Sequence, residues 1–477
     1  MKSNIRILEI SIKNIKNVKQ GRIEFSSKNE IENGNFEFDH SDVIGIYGPN
    51  GSSKTALVNS FNILKNIIVS KNINDNEPFI NHFDGTEVFE LINKNANSAT
   101  LELMYFTDVN SKKIFFYEVE IIKNENAKIA QINKEKLSYK SYSDELKSWS
   151  NKVKLIEVDY TSENTSNFIS PLVFVITLKK YDKNVLGKFQ RLIGTVSSTN
   201  SSFIFSDTFI SNLAKIEFYK KISSSLNVLK KYAVHNMHVY DNKEISKITA
   251  NDAIPFFYKS RSNNIINTFF GQFSIFGESM MDVSCKQIVS DYFKEIDIVI
   301  NKIIPNMHVE VVDLGNAVLD NGTEGFKFEV LSIRNDTKIP LRLESDGIKK
   351  IISLITSLVD IFNNPSSILI IDEFDSGIFE YLLGELLKTI KDDAKGQFIF
   401  TSHNLRALEV IRESIIFSSL DENNRYISFP RISKTENLRS KYIKMMFLDN
   451  GNKFADSIDL YEIYRAFIRA GELINHE

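Results

Sequence analysis

The chain of 477 residues is 42% hydrophobic and 25% charged, a composition typical of a globular protein with two or three folding units. Its formal net charge of −3 and the lack of a basic tail give no compositional signal for a nucleic-acid binder. The single cysteine, Cys285, excludes an intrachain disulfide and predicts a cytoplasmic location. Because no apolar run reaches about 18 residues, we expect neither a transmembrane helix nor a membrane partner.

The first predicted unit, residues 1–125, combines strands with one long helix. Isoleucines alternate with polar residues near the start, as in a half-buried strand. From Ser52 to about Ile68, apolar residues recur on one helical face, which predicts a helix. The predicted strands are residues 5–12, 22–26, 42–47, 99–106 and 114–122, the last two forming a β-hairpin.

The second predicted unit, residues 126–283, has no regular alternation of strands and helices, and we interpret it as a largely helical insertion that offers a partner or assembly surface. Its clearest helix is predicted over residues 208–231, where apolar residues recur three or four apart. The longest apolar run, Pro171 to Leu178, is predicted to be a buried strand.

The third predicted unit, residues 284–477, returns to regular structure. Strands and helices alternate in its second half, which predicts an α/β layer with a largely parallel sheet. The predicted helices are residues 284–304, 345–361 and 378–391. The predicted strands are residues 307–313, 326–332, 338–343, 368–371 and 397–401.

A near match to a phosphate-binding loop, GPNGSSKT, follows the strand at residues 42–47 and leads into a helix. Backbone N–H groups in such a loop suit an anion, with Lys54 reaching the β- and γ-phosphates and the Thr55 hydroxyl holding Mg²⁺. Ser53 replaces the usual glycine, at small cost if its backbone is helical. The alternative is an ordinary glycine-rich turn. The predicted nucleotide-binding residues of the loop are Gly48, Pro49, Asn50, Gly51, Ser52, Ser53, Lys54 and Thr55.

Two further motifs end predicted strands of the third unit. Asp372 and Glu373 follow the apolar strand ILII, where Asp372 can support Mg²⁺ and Glu373 can deprotonate water. His403 follows the strand QFIFT, and adjacent parallel strands would bring it to the same phosphate. The alternatives are an acidic turn exposed to solvent and a structural histidine.

A third motif, ESDGIKK, places Ser345 and Gly347 at the start of a predicted helix. A helix N-terminus with a serine hydroxyl suits an anion, but Ser345 could instead act only as the N-cap.

The order of these motifs resembles that of ABC-type ATPases of the SMC, Rad50 and RecF group, and most of all the compact ATPases of bacterial phage-defence systems. ESDGIKK is similar to their signature motif, IIDEFDSG to their Walker B and D-loop, and FTSHN to their switch-histidine segment. The segment KTENLRSKYI also resembles a C-terminal stretch of that group. The sequence departs from the pattern in Ser53 and in the signature, which reads Ser-Asp-Gly, and no Q-loop glutamine is assigned.

This resemblance implies an ABC-type P-loop ATPase head, with a mostly parallel core sheet, an antiparallel β subdomain and two ATPase lobes around the insertion. It also implies ATP and Mg²⁺ as cofactors and a head-to-tail homodimer, in which Ser345 and Gly347 of one chain close the site of the other. Catalytic roles would then belong to Lys54, Glu373 and His403, and metal binding to Thr55 and Asp372.

Three functions remain open from the sequence. The first is an ATPase sensor or scaffold of an anti-phage, abortive-infection system that self-associates with ATP and controls a separate effector, such as a nuclease or toxin, after a phage protein or DNA trigger. The second is a RecF- or SMC-like DNA repair or recombination ATPase. The third is a nucleotide-binding scaffold with little turnover.

Two other patterns are interpreted as structural. His235, His238 and Asp241 have a spacing that can bind a metal, but no further cluster completes a site, so an element edge is favoured. Residues 178–191 are locally basic and could contact phosphates, but a solvated helix face is favoured.

Overall fold

The computed structural model describes most of the chain and all three predicted units. The described residues are 4–49, 51–71, 85–161, 168–249, 253–262, 265–274, 277–412, 414–421, 423–428, 439–440 and 460–474. Asn50 and most of the segment KTENLRSKYI therefore lie outside the described residues. No helix within the described ranges is both long enough and apolar enough to cross a membrane.

The secondary structure is mixed, with strands and helices throughout. The strands are β1 (Ile5–Ile15), β2 (Val18–Glu24), β3 (Asp42–Tyr47), β4 (Ser98–Thr107), β5 (Lys113–Asn124), β6 (Ile129–Ser143), β7 (Ser148–Trp149), β8 (Val153–Asp159), β9 (Ile169–Ser170), β10 (Met237–Tyr240), β11 (Ala253–Ser262), β12 (Ile265–Ser274), β13 (Ser279–Asp282), β14 (Met307–Val318), β15 (Glu324–Arg334), β16 (Thr337–Pro340), β17 (Ile368–Ile371), β18 (Gln397–Thr401), β19 (Ile415–Ser418) and β20 (Tyr426–Ser428). The α-helices are α1 (Ser26–Glu32), α2 (Lys54–Ile68), α3 (Gly85–Leu91), α4 (Leu172–Tyr181), α5 (Val185–Ser198), α6 (Asp207–Ala214), α7 (Glu217–His235), α8 (Asn242–Thr249), α9 (Lys286–Ile303), α10 (Asp346–Asn363), α11 (Glu380–Asp393), α12 (Leu405–Val410) and α13 (Leu460–Ile474).

The core sheet has the strand order β10-β17-β18-β3-β19-β20, with only its last pair antiparallel. β3, which leads into the phosphate loop, therefore lies next to β18, and β18 lies next to β17. The carboxyl ends of these three strands share one edge of the sheet, where ligands bind in open parallel sheets. The predicted parallel α/β layer is confirmed.

Both faces of the core sheet are buried, which explains the continuous apolar runs of its strands. In β17, Ile368 and Ile370 pack into the core that contains α2 and the helices from α4 to α7. Leu369 and Ile371 of the same strand pack into the opposite core, with α9, α10 and α11. The period of two along a strand assigns alternate residues to the two faces.

The second large sheet is antiparallel, with the order β2-β1-β4-β5-β6-β8-β9, and it confirms the predicted antiparallel subdomain. The predicted hairpin corresponds to β4 and β5, which pair from Ser98 with Ile122 to Thr107 with Lys113. This sheet shares its hydrophobic core with α2, so the helix after the phosphate loop is packed between the two sheets.

The boundaries predicted for the insertion do not coincide with borders of the sheets. The boundary after residue 125 falls between β5 and β6, which are paired along most of their length. β10, also inside residues 126–283, pairs with β17 in the core sheet, and β13 pairs with β15. Among the described residues of this range, the α-helices are α4–α8, and β11 and β12 form a separate two-stranded antiparallel sheet.

The prediction of a buried strand from Pro171 to Leu178 is wrong. This run forms α4, with Pro171 at its N-cap, and exposes Leu172, Val173 and Ile176 while burying Phe174 and Leu178. An apolar run of eight residues fits either structure, and only the tertiary packing decides between them. The helix predicted over 208–231 is also divided, because Lys215 and Ile216 separate α6 from α7.

Candidate functional site

A cleft at the carboxyl edge of the core sheet brings together residues from several predicted motifs. It has a volume of about 410 Å³. The phosphate loop and α2 contribute Gly51, Ser53, Lys54 and Thr55. The strand ends contribute Asp372, Glu373 and His403, and the β1–β2 turn contributes Lys16 and Asn17.

Two glycines shape the phosphate loop. A Cβ at Gly48 would collide with the Ser418 side chain of β19 and lie within 2.8 Å of the Ser52 hydroxyl oxygen. Gly51 has a φ of +78°, a conformation that favours glycine. The Ser52 hydroxyl donates to the Pro49 carbonyl at 2.8 Å, so Ser52 and Pro49 bond to each other rather than line the cleft.

Ser53 stands where the motif has glycine, and its backbone is left-handed, with φ 64° and ψ 34°. Serine would fit here at small cost only with a right-handed helical backbone, and Ser53 does not have that conformation. The left-handed conformation costs an L-residue roughly 1–2 kcal/mol. The motif glycine would remove this strain, and the strain at Ser53 does not prevent α2 from beginning at Lys54.

The Lys54 side chain is hydrogen-bonded to the backbone of the loop. Its ammonium donates hydrogen bonds to the Gly48 carbonyl at 2.8 Å and the Pro49 carbonyl at 3.0 Å. Burial lowers the pKa of Lys54, and the carboxylates of Asp372, Glu373 and Asp375 oppose this effect. An ammonium has three N–H donors, so one remains for a phosphate oxygen, and exchanging one loop carbonyl for a second phosphate oxygen would supply another.

Asp372 has the environment of a metal ligand. Its side chain is 1% exposed, and its Oδ1 accepts a hydrogen bond of 2.5 Å from the Thr401 hydroxyl. Its Oδ2 is buried without a hydrogen-bond partner among the described residues, a costly state for a carboxylate oxygen that a cation would relieve. Asp372 and Thr55 fit Mg²⁺, which usually takes one or two protein ligands and completes its shell with phosphate and water oxygens.

Within the described part of the chain, no group of three or more His, Cys, Asp or Glu side chains could hold a metal by itself.

Glu373 directly follows Asp372 and has an unusual backbone, with a φ of 47°. Its peptide N–H donates to the Thr401 hydroxyl at 2.8 Å, and its carbonyl accepts a hydrogen bond of 2.6 Å from the Lys350 ammonium. The side chain lines the cleft. A carboxylate in this position can accept a proton from a water molecule that attacks a bound phosphate.

His403 lies just beyond β18 and also lines the cleft. Its backbone N–H donates to the Asp375 carboxylate at 3.1 Å, which ties the histidine segment to the turn after Asp372. Burial, together with the nearby Lys54 ammonium, lowers the pKa of His403. A neutral imidazole can donate one N–H to a phosphate oxygen.

Ser345 and Gly347 are not among the residues that line this cleft. Ser345 is exposed at the N-cap of α10, and its hydroxyl makes no capping hydrogen bond. Gly347 is buried, and a Cβ there would collide with the carbonyl of Gly377. The predicted signature motif therefore packs on the turn after Asp372 and presents Ser345 to solvent.

Sequence reasoning missed Lys16 and Asn17, which form the two-residue turn between β1 and β2. Asn17 donates a hydrogen bond of 2.5 Å to the Gly51 carbonyl, and no described residue bonds its buried side-chain oxygen. Burial lowers the pKa of Lys16, and Asp372 and Asp241 oppose this effect. The available signal was the polar Lys-Asn pair between Ile15 and Val18, but only the fold brings it to the phosphate loop.

The candidate metal ligands His238 and Asp241 have other partners. His238 is buried and bonds Asp360 of α10 at 2.8 Å. Asp241 accepts hydrogen bonds from the Lys243 and Glu244 N–H groups and from Asn62. These side chains connect helices to the end strand of the core sheet.

Comparison with known proteins identifies similarity over part of the chain. Residues 220–409 match a family model described as "AAA domain, putative AbiEii toxin, Type IV TA system", a range that includes Ser345, Asp372 and His403 but not the phosphate loop. No curated protein sequence matches the chain.

Three solved structures are similar at low identity. An SMC head domain bound to the C-terminal domain of ScpA, from Pyrococcus furiosus, is 13% identical with a TM-score of 0.40, over 93% of this chain and 99% of that one. An SMC head domain from Thermotoga maritima is 14% identical with a TM-score of 0.33, over 89% and 100%. The recombination mediator RecF with ATP is 12% identical with a TM-score of 0.36, over 90% and 100%. Structural similarity this low says nothing about the activity or the partners of this chain.

Proposed function

We propose that the chain binds ATP with Mg²⁺ in the cleft at the carboxyl edge of the core sheet and hydrolyses it. The observation that carries the proposal is the buried Oδ2 of Asp372, which has no hydrogen-bond partner in the described part of the chain and lies in the same cleft as Lys54, Thr55 and Glu373. A partly buried lysine beside a buried carboxylate with a free oxygen suits a polyphosphate–cation complex better than a neutral ligand.

Five residues of the cleft have distinct roles in this proposal. Lys54 binds the β- and γ-phosphate oxygens, and the bound Mg²⁺, held by Thr55 and Asp372, offsets phosphate charge. Glu373 accepts a proton from the attacking water. His403 donates an N–H to the γ-phosphate and thereby distinguishes ATP from ADP.

The active species in this proposal is a head-to-tail homodimer. The exposed, uncapped Ser345 hydroxyl at the start of α10 is suited to a phosphate but lies outside the cleft of its own chain. In the dimer, Ser345 and the α10 N-terminus close the nucleotide site of the partner chain, so ATP stabilises the interface and hydrolysis releases it.

At the level of biology, we propose an ATPase sensor or scaffold of a bacterial anti-phage system that controls a separate effector, a nuclease or toxin. Support comes from the motif resemblance and from the family match, whose description names a toxin. The exposed apolar residues Leu172, Val173 and Ile176 of α4 are available to such an effector.

The test is purification of tagged Glu373→Gln protein from its native host before and after phage infection, with co-purifying proteins identified by mass spectrometry. A small nuclease or toxin that is bound before infection and lost or altered afterwards is the expected result. Recombination proteins and DNA, unchanged by infection, would contradict the defence role.

A DNA repair or recombination ATPase is the second candidate, and one observation favours it. The stretch from α4 to α7 (residues 172–235) contains ten Lys and Arg but three Asp and Glu, within a chain whose net charge is −3. DNA-stimulated hydrolysis and strongly salt-dependent binding to a duplex would select this role over the first. A low-turnover scaffold would instead assemble with ATP without releasing phosphate.

A further inference from the structure

Lys350 is an almost fully buried cation in the second turn of α10, with 1% of its surface exposed. Its ammonium donates hydrogen bonds to two backbone carbonyls of the turn after β17, Glu373 at 2.6 Å and Ser376 at 3.1 Å. Burying a lysine is costly unless its donors are satisfied, so this contact holds α10 and the turn together.

The turn that Lys350 contacts contains a strained residue. Glu373 has a φ of 47°, and a non-glycine residue keeps such a conformation only where its surroundings impose it, at a cost of order 1–3 kcal/mol. The Glu373 backbone is fixed on both sides of its Cα, since the Thr401 hydroxyl accepts a hydrogen bond from its N–H and Lys350 donates one to its carbonyl. These two contacts determine where the Glu373 side chain enters the cleft.

A second contact joins the same two elements. Gly347 of α10 lies directly against Gly377, and even a methyl group at residue 347 would collide with the Gly377 carbonyl. Gly377 has a φ of +77°. The first turns of α10 therefore cannot shift without moving the turn that runs from Asp372 to Ile378.

We propose that Lys350 is a positioning residue for hydrolysis: it fixes the backbone of Glu373 and links the orientation of this carboxylate to the position of Ser345 at the start of the same helix. This inference rests on the proposed ATPase function. In the head-to-tail dimer, Ser345 serves the nucleotide of the partner and Glu373 serves the nucleotide of its own chain, so Lys350 couples the two sites.

The variant Lys350→Met removes the donors but keeps the length and apolar stem of the side chain. We expect kcat to fall by at least about tenfold, because misplacing a reacting group by about 1 Å can cost a hundredfold. We expect KM and the affinity for ATP to stay within about twofold. The Hill coefficient for ATP should also fall, and Lys350→Arg, which keeps N–H donors, should restore part of kcat.

Lys349→Met is the matched control, since Lys349 is the adjacent buried lysine and pairs with Asp346 at 2.9 Å. It should leave kcat within about twofold of the wild type. Parallel losses of kcat and ATP affinity in Lys350→Met, or an unchanged kcat, would overturn the inference.

Amide hydrogen exchange tests the contact between Lys350 and the turn independently of ATPase activity. The Ser376 N–H donates to the Glu373 carbonyl that Lys350 also contacts. Lys350→Met should therefore speed amide exchange in residues 373–378, and Lys349→Met should not. If wild-type protein neither binds nor hydrolyses ATP, the proposed function fails while this exchange result still decides whether Lys350 fixes the turn. If Lys350→Met does not fold, Lys350→Gln replaces it: its side chain is one bond shorter and reaches the two carbonyls less well, so kcat should fall while the affinity for ATP stays within about twofold, and an unchanged kcat would overturn the inference.

Discussion

The Tyr426 hydroxyl donates a hydrogen bond of 3.0 Å to the backbone carbonyl of Ser53. Tyr426 lies on β20, at the end of the core sheet, and is buried. A residue far along the chain thus helps to hold the serine that replaces the motif glycine in its left-handed conformation.

Ser53→Gly should relieve this strain. We expect the free energy of unfolding to rise by up to about 1 kcal/mol, because the left-handed region costs glycine little. ATP affinity should be kept or increased. Urea unfolding and equilibrium ATP binding measure the two effects.

Ser70→Gly is the control for this change, because Ser70 has a φ of 59° just beyond the end of α2. Because Ser70→Gly also removes a hydrogen bond of 3.3 Å from the Ser70 hydroxyl to the Ser202 carbonyl, it should stabilise the protein less than Ser53→Gly, and it should leave ATP binding unchanged. A loss of stability in Ser53→Gly would contradict the strain assigned to this position.

Lys54→Ala should abolish measurable ATP binding, with affinity reduced at least about a hundredfold. The ammonium would bond to two phosphate groups, and each hydrogen bond to a charged group contributes about 1.5–3 kcal/mol. Calorimetric titration with ATP and Mg²⁺ measures the loss. Thermal unfolding serves as the control for folding, and ATP turnover at the wild-type rate would refute the role of Lys54.

Glu373→Gln should retain ATP binding but lose the base, so ATP-bound dimers or larger assemblies accumulate. Loss of a general base typically lowers the rate by roughly 100- to 10,000-fold. Light scattering after size-exclusion chromatography with ATP and Mg²⁺ gives the mass. An unchanged rate of phosphate release would show that Glu373 is not the base.

Dimer formation in the Glu373→Gln background should also depend on Ser345. Adding Ser345→Trp places a bulky side chain at the exposed start of α10 and should block dimers, while ATP binding by the monomer remains. Persistence of ATP-induced dimers in the double variant would exclude Ser345 from the interface.

Glu135→Gln should destabilise the packing of the helical segment on the antiparallel sheet. The fully buried carboxylate of Glu135 accepts hydrogen bonds from the Tyr117 and Tyr160 hydroxyls, the Ser202 hydroxyl and the Phe203 N–H. An amide replaces one acceptor oxygen with a donor that faces other donors, so we expect a loss of about 1–3 kcal/mol in urea unfolding.

The matched control for this change is Glu118→Gln, since Glu118 has a surface ion pair with Lys136. A surface pair contributes about 0–1 kcal/mol. Equal effects of the two substitutions would contradict the assigned role of Glu135.

The strands of the core sheet were predictable because their sequences depend mainly on local burial. β3, β17 and β18 have the predicted bounds, since an apolar run that is covered on both faces and ended by polar residues has few alternative structures. Motif spacing also predicted the neighbouring strand ends of Asp372 and His403, because a single helix connects their parallel strands.

The missed features depend on contacts between distant parts of the chain. Lys16 reaches the cleft because β1 and β2 lie beside α2, and Lys350 reaches Glu373 because α10 packs against β17. The helical conformation of α4 likewise depends on which of its apolar residues pack into the hydrophobic core.

The sequence by itself determined the glycine-rich loop between β3 and α2, the acidic and histidine strand ends and the parallel sheet, since these follow from residue type, local periodicity and the reach of one connecting helix. Only the tertiary structure decided that Ser53 is left-handed, that one oxygen of Asp372 has no partner and that Ser345 lies away from the cleft. These properties arise from packing between elements far apart in the chain, and that packing leaves no periodic signal in the sequence.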